Sequence, residues 1–267
     1  MSLTSNCKAA HKPTSKYSLE TITIRRAHLK DGFQIGRNTS KTYNSTPLTT
    51  FVSPYREKHY ADYERGFIQR AISRMLVPRN LTFVACPVGD QKTVVGHAQF
   101  VRLGDDSEAR ALIRDVGLFK RILLWVLSWL YWLYCTVLDW VVGGDKSMNK
   151  EAVKMFADWC KLDRKKFWDS HEERANRWHA QSVVVLKEWQ GKGIGKRLMV
   201  EVMKRAEREG VIVGLEASVP GEMLYRSLGF ELLGRFDEGL DFLGEGQHGG
   251  LMMWCPKGWK EKVRKVM

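Results

Sequence analysis

One segment constrains this chain more than any other, a run of β-branched residues that feeds alternating glycines and then a helix. It reads Val183-Val184-Val185-Leu186-Lys187-Glu188-Trp189-Gln190-Gly191-Lys192-Gly193-Ile194-Gly195-Lys196-Arg197-Leu198-Met199. Three consecutive valines favour an extended strand, and residues 193–209 carry the apolar spacing of a basic amphipathic helix. Glycines at 191, 193 and 195 let the intervening backbone approach a ligand closely. Successive N–H groups can then point at one anion, and the new helix adds its positive end. The segment is a phosphate cradle by construction, flanked by Lys192, Lys196 and Arg197.

Two common cradles fail on spacing. The GxxxxGK[ST] loop of nucleotide triphosphatases would need glycine where Gln190 stands and Ser or Thr where Arg197 stands. The dinucleotide pattern GxGxxG accommodates Gly191 and Gly193 but meets Lys196 in place of its third glycine.

The arrangement Gln190-x-x-Gly193-x-Gly195, placed between a strand and a helix, resembles the Q/R-x-x-G-x-G/A signature of the GNAT N-acetyltransferase superfamily. The resemblance implies that acetyl-CoA is the cosubstrate and that the chain is an acyl-CoA-dependent N-acyltransferase. The backbone of Val183, Val184 and Val185 would hold the acetyl carbonyl and pantetheine arm. The amides from Gly191 through Lys192, Gly193, Ile194 and Gly195 to Lys196 would hold the pyrophosphate. Lys187 departs from the family, many members of which have proline there. The implied fold is α/β (α+β): a mixed, mostly antiparallel sheet of about seven strands with flanking helices. A single domain would span residues 20–258.

One strand downstream, Leu215-Glu216-Ala217-Ser218-Val219-Pro220-Gly221-Glu222-Met223-Leu224-Tyr225-Arg226-Ser227-Leu228-Gly229-Phe230 is similar to the family's second signature. By that resemblance Tyr225 protonates the departing CoA thiolate, and Ser218 bonds the pantetheine arm. A phenol with a pKa near 10 is a chemically suitable donor to a thiolate hydrogen-bonded to it. The attacking amine must also lose a proton. His179 stands first among candidate bases, at a register where arylalkylamine-type members resemble it, with Glu216 second and His97 third. Trp178 resembles the tryptophan at the same register in puromycin-type members.

The rest of the chain supplies the other elements. Residues 21–25 read as a first strand, 38–53 as a Ser/Thr/Asn-rich connection, and 55–75 as an amphipathic helix. Residues 81–86 and 93–103 form a hairpin turning at Gly89. Strands at 181–186, 211–218, 230–236 and 250–255 and a short helix at 221–228 complete the order. Residues 1–19 read as a mobile tail, lacking the apolar core of a secretory signal, and 259–267 as a basic tail.

Residues 105–177 have no counterpart in the minimal family fold and read as a helical, aromatic-rich insertion between the third and fourth strands. Its residues 122–138 carry no formal charge over about 17 positions, the short limit for a bilayer span. A single crossing would divide strands that must share one sheet. The preferred reading is a helix packed against the core through Trp125, Trp129, Trp132 and Tyr134. A lid over an apolar pocket, or a hairpin in a membrane interface touching through residues 115–142, keeps the sheet whole equally well.

Composition narrows the partners. The 43 Lys and Arg against 30 Asp and Glu, a net charge of +13, favour an anionic partner, and the phosphates of acetyl-CoA meet that need. No basic stretch interleaved with aromatics marks a nucleic-acid-binding face. The five cysteines are scattered without CxxC spacing, so neither a disulfide framework nor a metal site is expected, and a cytoplasmic setting with optional membrane contact fits them. The expected acceptor is the amine of a small, apolar or aromatic molecule. A lysine or N-terminal acceptor on a protein, or a non-catalytic CoA-binding protein at a membrane, are the alternatives.

Overall fold

The computed structural model describes residues 22–236 and 249–259. The tails expected at 1–19 and 259–267 lie outside the described residues, apart from Trp259. Seven strands form one sheet: β1 (Ile22–Arg26), β2 (Asn80–Pro87), β3 (Gly96–Leu103), β4 (Arg177–Val185), β5 (Ile212–Ala217), β6 (Glu231–Arg235) and β7 (Gly250–Trp254). Their spatial order is β1-β2-β3-β4-β5-β7-β6. Only β4 and β5 run parallel; every other pairing is antiparallel. The expected mixed, mostly antiparallel α/β fold is therefore the observed one.

Among the described residues, eight α-helices accompany the sheet: α1 (Gly32–Tyr43), α2 (Pro47–Val52), α3 (Tyr60–Met75), α4 (Ser107–Arg114), α5 (Leu118–Val142), α6 (Lys150–Arg164), α7 (Ile194–Glu209) and α8 (Val219–Arg226). The apolar face of α7 recurs at helical spacing, burying Ile194, Leu198, Met199, Val202 and Ala206. These side chains join Trp178, Phe100, Leu215 and Met252 in the main core, each large one contributing about 2 kcal/mol by burial. Gly210, left-handed at φ 66°, closes the helix by donating to the carbonyls of Ala206 and Glu207. On the opposite face of the sheet lie α1 and α3, and beside them Trp168 packs on Ile212, Leu251 and Met253.

The connection expected at 38–53 is instead helical, forming the end of α1 and all of α2. The cause is packing rather than propensity. Gly32, Gly36 and Ser40 lie four residues apart on one side of α1, and a Cβ on Gly36 would sit 2.4 Å from the Cα of Ile68. Small residues that read as loop-forming are what allow α1 to seat against α3. Within α2, Pro47 occupies the first turn and the Thr46 hydroxyl caps the Thr49 amide. Two boundaries also moved: α3 begins at Tyr60, after a turn, and β4 begins at Arg177, four residues before the expected start.

Between β3 and β4 lie α4, α5 and α6. The preferred reading of residues 122–138 as a core-packed helix is wrong, since α5 contains no buried residue. Trp125 is 71% exposed, Trp132 60% and Trp140 83%. Apolar character marked a surface that the sheet and its other helices leave uncovered.

Candidate active site

The paired length of β4 differs on its two edges. Toward β3 it runs from Arg177↔Leu103 to Val185↔Gly96, with the register slipping so that Gln181 is an extra residue between partners of Gln99 and Phe100. Such a bulge bends its strand and sharpens the local twist. Toward β5, pairing stops at Ala180↔Leu215. The β5-facing edge of residues 181–185 thus has no strand partner among the described residues, and a cleft opens between the two parallel strands.

The glycine loop follows at the end of that edge. Gly191 and Gly193 take φ of 74° and 70°, a region that L-residues with a Cβ enter at a cost. Gly195 is helical, so its lack of a side chain has a different cause. A Cβ there would meet Leu224 at 3.0 Å and Val185 at 3.9 Å, where α7, α8 and β4 converge. The Gln190 amide donates to the Val185 carbonyl at 2.9 Å and ties the loop to the strand. The Lys192 ammonium lies 4.5 Å from the centre of the Trp189 ring. The Arg197 amide makes the first turn's bond, to the Gly193 carbonyl at 3.1 Å. The amides of Ile194, Gly195 and Lys196 therefore have no acceptor within the helix, as at any helix start.

These donors suit a pyrophosphate, and the unpaired edge of 181–185 suits an arm made of amides. Ser218 stands at the start of α8, where its hydroxyl caps none of the helix amides and so is not committed to that role. Gly221 permits this crowding, since a Cβ would meet the Ser218 hydroxyl at 3.2 Å and the Tyr225 ring at 3.3 Å.

Tyr225 is buried against Phe230, ring centres 5.7 Å apart. Burial, with a smaller contribution from the neighbouring Tyr43, pushes its phenol well above the ordinary range. It remains protonated at neutral pH, the state a proton donor needs. His179 and Glu216, separate candidates in the sequence, form one pair: Nε2 of the histidine lies 2.8 Å from a carboxylate oxygen. Register explains the meeting, because β4 and β5 pair at His179↔Gly214 and side chains two residues apart on β5 share a face. Burial works to raise the Glu216 carboxyl, yet the His179 ring and Arg177 outweigh it and hold the group below its usual value. The edge of the His179 ring meets Trp168, 5.5 Å between centres.

His97 is ill suited to a base role. Its ring is fully buried and held at about 3 by desolvation, helped by Arg74. Nε2 has the hydroxyls of Thr39 and Ser182 at 3.3 Å each. Trp178 also serves the framework, its indole N–H donating to Glu209 at 2.9 Å in the main core.

Sequence reasoning missed a polar recess of about 70 Å³ beside the bulge, lined by Thr39, Tyr43, Arg74, Gln99, Gln181 and Ser182 among others. The Arg74 guanidinium has Gln99 Oε1 and the Gln181 carbonyl at 3.4 Å. Desolvation, reinforced by Arg70, lowers it to about 10. Among the described residues no carboxylate pairs with it. The signal was partly present, because Arg70 and Arg74 fall four apart on an amphipathic helix; Tyr43 lay in a stretch read as a loop.

Residues 159–232 match the family model described as an acetyltransferase (GNAT) domain. No curated protein sequence matches the chain. Among solved structures, a Corynebacterium glutamicum protein described as histone acetyltransferase HPA2 and related acetyltransferase superposes with a TM-score of 0.54 at 18% identity, covering 88% of this chain and 97% of its own. A yellow fever mosquito protein named arylalkylamine N-acetyltransferase 7 gives 0.56 at 10% identity, covering 88% and 87%. At these identities the likeness is one of fold. Residues 159–232 are thus similar in sequence to an acetyltransferase (GNAT) domain, and the chain as a whole has a fold that solved acetyltransferases share.

Proposed function

We propose that this enzyme transfers an acetyl group from acetyl-CoA to an amine by direct attack within a ternary complex. The observation that carries the reading is the conjunction of an unpaired β4 edge, a start of α7 with three uncommitted amides, and Tyr225 held neutral at the same cleft. Acetyl-CoA brings an activated thioester. The chain supplies the rest: the amides from Gly191 to Lys196 with Lys192 and Lys196 hold its pyrophosphate, and the backbone of Val183, Val184 and Val185 with Ser218 holds the arm. The His179–Glu216 pair takes the proton that the attacking ammonium must lose. As the carbon–nitrogen bond forms and the carbon–sulfur bond breaks, the Tyr225 hydroxyl gives its proton to the sulfur, and the second proton that the nitrogen sheds in becoming an amide restores the phenol. Positioned proton transfer of this kind contributes about 10²- to 10⁴-fold.

For the acceptor, we favour a small amine over a protein. The aromatic wall expected from residues 122–138 contributes no residue to the polar recess, so the apolar-acceptor reading loses that support. Arg74, without a carboxylate partner, favours an acceptor that carries a carbonyl or acidic group beside its amine. A thiol-release assay against amino acids, arylalkylamines and short peptides tests this. Preferential turnover of carboxylate-bearing small amines supports the reading, and turnover of peptides alone overturns it. Tyr225→Phe should lower kcat about 10²-fold with acetyl-CoA binding retained; an unchanged rate removes Tyr225 from the mechanism.

A further inference from the structure

The exposed helix α5 is apolar in the wrong direction for a soluble surface. Its half-buried positions are 124, 126, 127, 128, 131, 135, 138, 139 and 142, most of them at three- and four-residue steps, and they include Ser128, Cys135 and Asp139. Its exposed positions include Phe119 at 82%, Trp125 at 71%, Trp140 at 83% and Val141 at 66%. The outward side is apolar along most of its length. An apolar surface running the length of a 25-residue helix, about 37 Å at 1.5 Å per residue, exceeds what monomeric proteins leave to water.

Length would let α5 cross a bilayer, but its attachments forbid it. Near its C-terminal end, Asp139 pairs with Arg65 at 3.4 Å and accepts from Gln69 at 3.3 Å, while Arg65 also donates to the Gly144 carbonyl at 3.0 Å. At its N-terminal half, Leu118, Ile122 and Trp125 wall an apolar groove of about 440 Å³ whose other side is Leu76, Val77 and Pro78. The C-terminal end of α5 is therefore tied to the middle of α3, and its N-terminal half faces the residues that follow α3. Strands β3 and β4, which precede and follow α5, are direct neighbours in the sheet.

The outward side is itself banded. Trp125, Trp129 and Trp132, spaced by four and three, line one flank; Leu123, Leu130 and Val137, spaced by seven, line another. Tryptophan favours the headgroup level of a membrane and aliphatic side chains the acyl level below it. At the N-terminal end stand the exposed Lys120 and Arg121, beside Arg110 and Arg114 that pair with Asp105 and Asp115, in a chain of net charge +13.

We propose that α5 lies flat in the interface of a bilayer containing anionic lipids, aliphatic flank inward, and docks the transferase domain on that surface. The inference does not depend on the catalytic reading. Flotation of the full chain with phosphatidylcholine vesicles, with and without phosphatidylserine, tests it. Binding is expected to the anionic vesicles and to weaken with salt. Lys120→Gln and Arg121→Gln should each lower partitioning about fivefold. Trp125→Ser with Trp129→Ser and Trp132→Ser should abolish flotation, with an unchanged circular dichroism spectrum and urea midpoint as the control for folding. Concentration-dependent dimerisation without flotation would make a second copy the occupant and overturn the proposal. Resistance to alkaline extraction, with α5 shielded from quenchers on both sides of the bilayer, would mean a span and overturn it equally. Neither flotation nor self-association leaves the membrane reading without support and also overturns it.

Discussion

The stretch from β4 to β6 and the three helices between β3 and β4 are both rich in apolar residues, the helices more so in aromatics, yet they use them oppositely. In the first, Trp178 and Leu198 are fully buried, and the buried Arg102 guanidinium meets Glu209 at 2.8 Å and also pairs with Asp106. In the second, α5 buries nothing and its polar contacts lie at its end, on Asp139, 45% exposed. Apolar content says that a face wants cover; it does not say whether the chain supplies that cover. The stretch from β4 to β6 is closed by the protein itself, and α5 is left for something else to close.

The largest test of that contrast removes one charge from each region. Glu209→Ala leaves the Arg102 guanidinium, which is 0% exposed, with Asp106 as its one carboxylate and removes the acceptor of the Trp178 indole, and should cost about 2–3 kcal/mol. Asp139→Ala, which releases an exposed pair on α5, should cost under about 1 kcal/mol. Urea midpoints measure both, and equal losses would erase the distinction.

A pH titration of stability makes a second test. Free histidine takes a proton below about 6.5, whereas the buried His97 ring resists until about 3. Between those values the unfolded chain binds more protons, so this stability is complete above pH 6.5 and declines as pH falls through the window. The slope should reach about 1.4 kcal/mol per pH unit. His97→Gln should flatten the profile between pH 6.5 and about 4.5, above the range where carboxylates titrate; an unchanged slope would mean that the ring is not held neutral.

A modest stability effect belongs to the loop. A Cβ on Gly191 would meet nothing within 4 Å, but its φ is 74°. Gly191→Ala should therefore cost only about 1–2 kcal/mol, while disturbing the amides on either side. Calorimetric titration with CoA should show weakened affinity; undiminished affinity would detach the loop from cofactor binding.

The legible parts of this molecule were those whose structure is set within a few residues. Gly191 and Gly193 announce left-handed backbone, and the valines before them a strand. The same local logic placed Tyr225 on α8 and Gly89, at φ 87°, in the β2–β3 turn. What escaped was set at long range. Whether Gly36 and Ser40 make a loop or a packing stripe depends on Ile68 in another helix. That His179 and Glu216 form a pair depends on where β4 and β5 cease to run together. The Arg74 recess depends on α1, α3 and a one-residue bulge meeting across the sheet.

Calorimetric titration of the intact chain with acetyl-CoA addresses the central claim most directly. Saturable one-to-one binding is expected, weakened by Gly191→Ala and retained by Tyr225→Phe. An absence of binding by the intact chain, or binding indifferent to Gly191→Ala, would contradict the assignment of the cleft between β4 and β5 as the acetyl-CoA site.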